Sequence, residues 1–341
     1  MRQLLVVCVL AASAAFGQSE KVEPGVAPAT PTPAEPAKPA PLVTMPELSG
    51  YIQPALDWKL SGDDAQVRFF LRRVRVKLQG KLLGDRVGYV VMFDVASLQR
   101  PLRDGFIKLT LVPDQELRIG QFKVPFGWEN PTSSTVLPTI ERAIVSDRLG
   151  RGPDLRDIGL GVFGAVNLAG DWQLTDGLAV VNGAGANNPE STPRKDVFAR
   201  LGVAHGKLFT AGVSAATVQY IEGTGTAAAQ TSSVRFGVDA MVDYGPVFFV
   251  AEAIRGQTRQ PVRSSPFGFY VTGLVRAPMG LQGVARYERF DPRIADTAPQ
   301  ERLTLGANLL SDNSKLKLMV NYRVDLRGAD DLLLAQTQVV F

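Results

Sequence analysis

From Gly50 onward the chain alternates apolar with polar or small residues in short segments. In "SVRFGVDAMVDY", Val234, Phe236, Val238, Ala240, Val242 and Tyr244 share one face, and Ser233, Arg235, Gly237, Asp239, Met241 and Asp243 share the other. "KLKLMVNYRVD" sets Leu316, Leu318, Val320, Tyr322 and Val324 against Lys315, Lys317, Asn321, Arg323 and Asp325. "RRVRVKLQ" sets Val74, Val76 and Leu78 against Arg73, Arg75, Lys77 and Gln79. A period of two is that of a strand lying between two different media, and no helical period fits these runs. The pattern predicts sixteen strands, near 50–59, 67–79, 86–96, 102–111, 115–122, 157–167, 172–182, 195–205, 208–218, 233–244, 246–256, 267–276, 279–290, 301–311, 314–325 and 332–341.

The connections alternate as well. After even-numbered segments they are short, as in "VPDQ", "LAGD", "HGK" and "SDNS". After odd-numbered segments they are mostly longer and rich in glycine, proline and charge, as in "GAGANNPESTPR". Short turns at one end and long loops at the other are the asymmetry of a bacterial outer-membrane barrel. The expected fold is therefore all-β, a transmembrane antiparallel β-barrel of sixteen strands. The last segment, Leu332 to Phe341, carries an apolar face with an aromatic end residue. In a soluble sheet such an edge would invite aggregation. In a barrel it pairs with the first strand and turns its apolar face to lipid. A soluble β-sandwich accounts for neither this end nor the loop asymmetry.

The front of the chain is different. Residues 1–17, "MRQLLVVCVLAASAAFG", have one basic residue, a short apolar run and small residues, the layout of a secretory signal peptide. Residues 18–47 are dense in proline and alanine and favour extended polyproline II, which suits a periplasmic spacer or a contact with cell wall or partner. Residues 48–341 are assigned to the barrel. An even strand count places both barrel ends on the periplasmic side, where the spacer also belongs. Cys8 is the only cysteine and lies in the leader, so no disulfide is expected to stabilise the mature chain.

Charge adds little in total. The 37 Lys and Arg less Arg2 of the leader leave 36 against 33 acids, about +3, which is no signature of a nucleic-acid binder. Chemistry is equally sparse. The single histidine, His205, falls in the short turn "AHGK", without a Ser/His/Asp arrangement around it, and no His or Cys cluster has metal-ligand spacing. The pattern names no enzyme, cofactor or metal.

Sixteen strands enclose a lumen too wide for side chains to fill, so it holds water. The longest connection, residues 123–156, follows the fifth strand and far exceeds an ordinary loop. It is expected to fold inward and narrow the lumen, the other reading being an external cap. Several stretches resemble the phosphate-selective porin family (the porin O/P group) of Gram-negative outer membranes: "RRVRVKLQGKLLGD", "LRIGQFKVPFGWE", "SSTVLPTIERA", "VVNGAGANNPE", "VARYERFDP" and "LTLGANLLSDNSKLKLMVNYR". The resemblance runs from Gly50 to Phe341 in unbroken order. It implies a trimeric sixteen-stranded porin with an inward third loop and a lumen lined by Arg and Lys. It also implies small phosphate-like anions as permeants, and Phe341 resembles the signal by which the barrel-assembly machinery recognises a C-terminal strand.

Assigning polar faces to the lumen gives inward cations Arg73, Arg75, Lys77, Lys108, Arg118, Arg200, Arg235, Arg286, Arg302, Lys315, Lys317 and Arg323. The inward acids are Asp57, Asp94, Asp104, Asp239, Asp243, Glu252, Glu288 and Asp325. An excess of one sign inside a low-dielectric wall concentrates counter-ions, so the expected pore prefers anions. In the loop, Lys123, Arg142, Arg148, Arg151 and Arg156 are candidates for the narrowest point, with Arg148 and Arg151 alternatively pairing with Asp147 or Asp154. The parity of the second segment puts Arg68 and Arg72 at the external rim, facing lipopolysaccharide. Trp58 and Trp172 suit interfacial aromatic girdles. The eight inward acids leave a weakly selective general pore as the alternative, and a plugged structural or adhesive barrel as the third reading.

Overall fold

The computed structural model describes residues 43–341 except 61–65, 85, 151–155, 189–193, 223–228, 259–263 and 329–330. The expected leader and most of the Pro/Ala-rich segment lie outside the described residues. So does Arg151.

All sixteen expected segments are strands. The first five are β1 (Glu47–Lys59), β2 (Val67–Leu82), β3 (Val87–Asp94), β4 (Leu102–Val112) and β5 (Gln115–Lys123). After the long third loop, here L3 (residues 124–155), come β6 (Arg156–Asn167), β7 (Trp172–Val181), β8 (Asp196–His205) and β9 (Phe209–Glu222). The chain continues through β10 (Ala229–Tyr244), β11 (Val247–Thr258), β12 (Phe267–Arg276) and β13 (Leu281–Asp291). It closes with β14 (Gln300–Leu310), β15 (Leu316–Asp325) and β16 (Leu332–Val340). Each strand pairs antiparallel with its neighbours in sequence, and β16 pairs with β1 to close the barrel.

The closure has a local reason. Phe341 and Gly50 exchange backbone hydrogen bonds of 3.0 and 2.9 Å. A Cβ on Gly50 would lie 2.7 Å from the Phe341 ring and 2.4 Å from the Arg75 carbonyl, so only glycine fits. Short turns connect β2–β3, β4–β5 and the later even-to-odd pairs. They use left-handed residues such as Gly84, Asp114, Gly206, Gly245 and Ser314. The two ends of the barrel are called the turn end and the loop end below.

Two faces separate cleanly along β15. Leu316, Leu318 and Val320 are 42, 42 and 47% exposed, whereas Lys317, Met319 and Asn321 are 5, 2 and 1% exposed. Apolar side chains thus face outward and polar ones inward, the reverse of a soluble protein and the arrangement lipid requires. Trp58 near the loop end and Trp172 at the turn end are both exposed on the outward parity. Among the described residues no helix is long and apolar enough to cross a membrane, and the crossing is made by strands.

The buried core lies inside the barrel. Phe122, Val124, Phe126, Ile144, Val145 and Leu149 pack against Phe198, Val250, Ile254, Tyr270, Val284 and Phe290 of the inner wall. Ile140 packs separately on Met319 and Leu334. L3 therefore folds inward, as its length suggested, and does not cap the barrel. Burying its large apolar side chains contributes on the order of 10 kcal/mol.

Candidate functional site

L3 crosses the lumen and is fastened at each stage by side chains that the strands point inward. Gly127 donates its N–H to Ser214 (3.0 Å) and Glu129 its N–H to Glu252 (3.1 Å). Ser134 bonds the Tyr51 hydroxyl at 2.8 Å, and the Thr135 carbonyl accepts from Gln338 (3.2 Å). The Leu137 and Pro138 carbonyls accept from Lys317 (2.7 Å) and Asn308 (3.0 Å), and the Ile140 N–H donates to Asn321 (2.8 Å).

Helix α1 (Ile144–Leu149) shows why these inward polar groups are needed. Its N-cap is Ala143, which has no side-chain acceptor. The N–H groups of Ala143 and Ile144 donate instead to Glu129 (2.7 Å) and to Glu288 of β13 (2.7 Å). At the other end, Asn130 donates to the Ser146 carbonyl (3.1 Å) and Arg235 to that of Leu149. The barrel wall thus satisfies the backbone groups that a single helical turn leaves open.

The centre of the fastening is charged. Glu129 is fully buried, and its carboxylate meets the Arg286 guanidinium at 2.6 Å. Arg286, itself 2% exposed, also donates to Thr272 (2.9 Å) and to the Glu141 carbonyl (3.0 Å), and its guanidinium lies 5.0 Å from the Tyr270 ring centroid. Arg142 donates to the Glu129 and Thr132 carbonyls, the latter at 3.0 Å. Toward the loop end, Glu141 bridges Arg72 of β2 (3.1 Å) and Arg323 of β15. Burial alone would raise the Glu141 carboxyl, but the charges of Arg323 and Arg72 outweigh it and, with Arg302 nearby, hold it below the usual carboxylate range. Three arginines surround Glu141 there, and Glu288 and Asp325 lie near Arg302 as well.

Below L3, toward the turn end, two of the cavities combine cations with apolar walls. The first, of about 500 Å³, lies against β2–β8 and is lined by Lys77, Lys108, Arg118, Phe106 and Phe163, with Pro125 from L3. Glu116 pairs with Arg118 and stands 3.9 Å from Lys108. Lys77 makes no ion pair among the described residues. The second, of about 450 Å³, is lined by Trp128, Val136, Phe248 and Leu274, with Arg276 and Lys317. Its two cations are engaged, Arg276 with Asp243 (2.6 Å) and Lys317 with the Leu137 carbonyl (2.7 Å).

Except for Lys315, the cations assigned to the lumen face inward, but most do not stand free as a ladder. Arg75 pairs with Asp94 (3.0 Å) and is 2% exposed, and Arg73 donates to Gln53 (3.0 Å). Lys123 donates to the Asn130, Pro131 and Thr132 carbonyls (3.2, 3.2 and 3.1 Å). Arg142, Arg286, Lys317 and Arg323 hold L3. The correction is physical: an inward loop has its own carbonyls and carboxylates, and it consumes the donors nearest to it. Arg302 lies on the inward parity opposite Glu288, beside Arg323. Lys77 and Lys108 line the larger cavity. Lys315 does not line the lumen, because β15 begins at Leu316 and Lys315 is exposed in the turn before it. Arg156 belongs to β6, where it grips Asp104 through two 2.9 Å bonds. Arg148 is exposed on α1 and makes no ion pair among the described residues.

Arg68 and Arg72 are also corrected. The β1–β2 register runs Gln53↔Arg73 and then Pro54↔Leu71, so Arg72 is a bulge residue. The extra residue inverts the parity beyond it. Phe69 and Leu71 turn outward, whereas Arg72 reaches Glu141 and Arg68 pairs with the inward Asp57 (2.5 Å). Neither faces lipopolysaccharide. The sequence reading also missed Glu129 and Glu141, whose only signal was their place within the family-like stretches of L3. His205 ends β8 and packs its ring 4.7 Å from that of Trp172.

The family described as phosphate-selective porin O and P matches residues 55–188, in agreement with the resemblance. No curated protein matches the chain in sequence. The anion-selective porin from Comamonas acidovorans is similar in structure, with a TM-score of 0.65 at 13% identity over 87% of this chain and 99% of that one. Salmonella typhi OmpF in complex with daunomycin gives 0.65 at 13%, covering 87% and 97%. The outer membrane channel DcaP of Acinetobacter baumannii gives 0.60 at 13%, covering 87% and 97%. At these identities the likeness to solved structures is one of fold. Family match and closed barrel together point to an outer-membrane channel rather than an enzyme.

Proposed function

We propose that this chain, similar over residues 55–188 to the phosphate-selective porins, forms a water-filled outer-membrane channel that prefers anions, phosphate-like oxyanions among them. One observation carries the reading. Arg72, Arg302 and Arg323 gather about Glu141 above L3, with Glu288 and Asp325 also near Arg302, and in the larger cavity below the cations Lys77, Lys108, Arg118, Lys123 and Arg200 exceed the acids Asp104, Glu116 and Asp176. Such clusters in a low-dielectric wall raise the local concentration of anions, and weak sites in series allow an ion to leave as well as enter. The trimer and the assembly route follow the resemblance, and the leader, spacer and termini follow the N-terminal sequence and the even strand count. The barrel assembles as a homotrimer, is inserted by the barrel-assembly machinery through the β16 end, and carries a cleaved leader, with the spacer and both termini periplasmic. Lipopolysaccharide surrounds its loop end without a dedicated arginine site.

A weakly selective general pore is the second reading, favoured by the neutralised pairs Arg75–Asp94, Arg156–Asp104, Arg200–Asp239 and Arg286–Glu129. The test is the reversal potential of the purified protein in planar bilayers under a KCl gradient, repeated with added phosphate. A reversal on the anion side with phosphate block is expected. A reversal at zero or on the cation side would overturn the anion reading and leave the general pore.

A further inference from the structure

We infer that the turn-end cavity against β2–β8 takes organic anions with an aromatic body, a two-ring carboxylate better than inorganic phosphate. The inference deepens the anion-channel reading and rests on it for the direction of charge. Porin lumens are expected to be polar inside. Here Phe106 and Phe163 face inward beside the cations, backed by the fully buried Phe122, with ring centroids 6.3 and 5.6 Å apart in edge-on contacts. Pro125 of L3 roofs the same space, seated where a Cβ on Gly177 would be 2.7 Å away. The volume, about 500 Å³, is in the range of small-molecule clefts.

The charges in this cavity favour a carboxylate on an apolar body. Arg118 is committed to Glu116, with its guanidinium stacked 3.9 Å from the Phe163 centroid and 5.4 Å from that of Phe106. Arg200 is committed to Asp239. The arginine forks that suit phosphate are therefore occupied. Lys123 is spent on L3 carbonyls, and what remains is Lys77 and, more loosely held at 3.9 Å from Glu116, Lys108, point charges without a fixed fork. The Lys108 stem lies across Gly88, where a Cβ would come within 2.6 Å of it, and its ammonium stands 3.9 Å from Glu116 in the cavity that the two rings also line. An inorganic oxyanion can use only those two lysines. An aromatic acid uses them and also removes ring surface from water. The second cavity has comparable apolar walls, but both of its cations are engaged, so it is not assigned this role.

The experiment uses the full chain in planar bilayers. The reversal potential is measured first, and then the concentrations of acetate, benzoate, 2-naphthoate and inorganic phosphate that halve the chloride current. Block should strengthen from acetate through benzoate to naphthoate, with naphthoate at least about tenfold more effective than acetate or phosphate, equivalent to one decade in affinity. Phe163→Leu and Phe106→Leu should weaken naphthoate block about fivefold to tenfold. They should leave acetate block unchanged. The ranking of acids on the unaltered protein decides the matter even where a variant fails to assemble. Equal block by the three monocarboxylates, or naphthoate block indifferent to both variants, would overturn the inference. An anion-selective pore with ungraded block loses this inference alone. A pore without anion preference but with ring-graded block loses the anion reading and keeps this one, and a barrel that passes no current loses both.

Discussion

Replacing Glu129 by alanine should release the middle of L3 while leaving the barrel closed. The carboxylate is fully buried and has two jobs, receiving Arg286 at 2.6 Å and the Ala143 N–H at 2.7 Å. Its loss leaves the Arg286 guanidinium, 2% exposed, without the carboxylate it bonds, with Glu288 as a remaining nearby acid. Breaking a buried pair from one side costs about 3–5 kcal/mol. At about 1.36 kcal/mol per decade, this multiplies the detached population of the loop roughly 10²–10⁴-fold. The apolar seat of Phe126, Ile144, Val145 and Leu149 opposes full departure, so partial and reversible opening is expected. None of the sheet's backbone pairing involves Glu129, and heat-modifiable gel mobility should be unchanged. Single-channel recording should show a larger mean conductance with added current noise. Glu129→Gln keeps one acceptor and should fall between. Conductance and noise equal to the unaltered protein in Glu129→Ala would refute the argument that this bridge positions L3.

Three further outcomes follow from other parts of the molecule. Burial pushes the Asp147 carboxyl up to about 6, with the Glu129 carboxylate adding to the rise; a raised folded-state value gives stability present below the usual carboxylate range and lost as pH rises through 6. Asp147 stands on α1 inside the barrel, so anion preference should strengthen from pH 7.5 to 5, and Asp147→Asn should flatten that profile in reversal-potential measurements. Gly50→Val places a branched side chain against the Phe341 ring and the Arg75 carbonyl. It should cost about 1–3 kcal/mol of closure and lower the temperature at which the folded gel band is lost. Arg72→Leu removes one of the two arginines paired with Glu141 and should reduce anion preference without altering gel mobility, because Arg323 still holds the loop; unchanged selectivity would remove Arg72 from the permeation path.

The strands were legible because each carries its own evidence. Leu316, Leu318 and Val320 alternate with Lys317, Met319 and Asn321 within one short segment, and lipid outside fixes which set points where. L3 was legible by length and composition. The fate of the cations was not, because it depends on partners far away in the chain. Arg286 meets Glu129 across 157 residues, and Lys317 meets the Leu137 carbonyl across 180. Parity reasoning also fails at a bulge, since one inserted residue at Arg72 exchanges inside and outside for Phe69, Leu71 and Arg68. Lys315 failed for a simpler reason, namely that its parity is right but the turn begins there. Phe106 and Phe163 read as ordinary strand aromatics until the register placed them beside Lys108 and Arg118.

The most direct test of the account is whether L3 sits where these contacts put it. A Cβ on Gly268 would lie 3.0 Å from the Val145 Cβ and 2.8 Å from the Arg289 carbonyl, so L3 and β12 must part by some tenths of an ångström to reach the roughly 3.5–4.5 Å of a disulfide. With Cys8 replaced by alanine, the pair Val145→Cys and Gly268→Cys should therefore crosslink spontaneously within one chain, as read by peptide mass spectrometry. The locked barrel should keep its conductance, because the bond fixes the loop in its resting place. Two free thiols that each react with maleimide but never join would contradict an L3 seated against β12, and with it the passage described here.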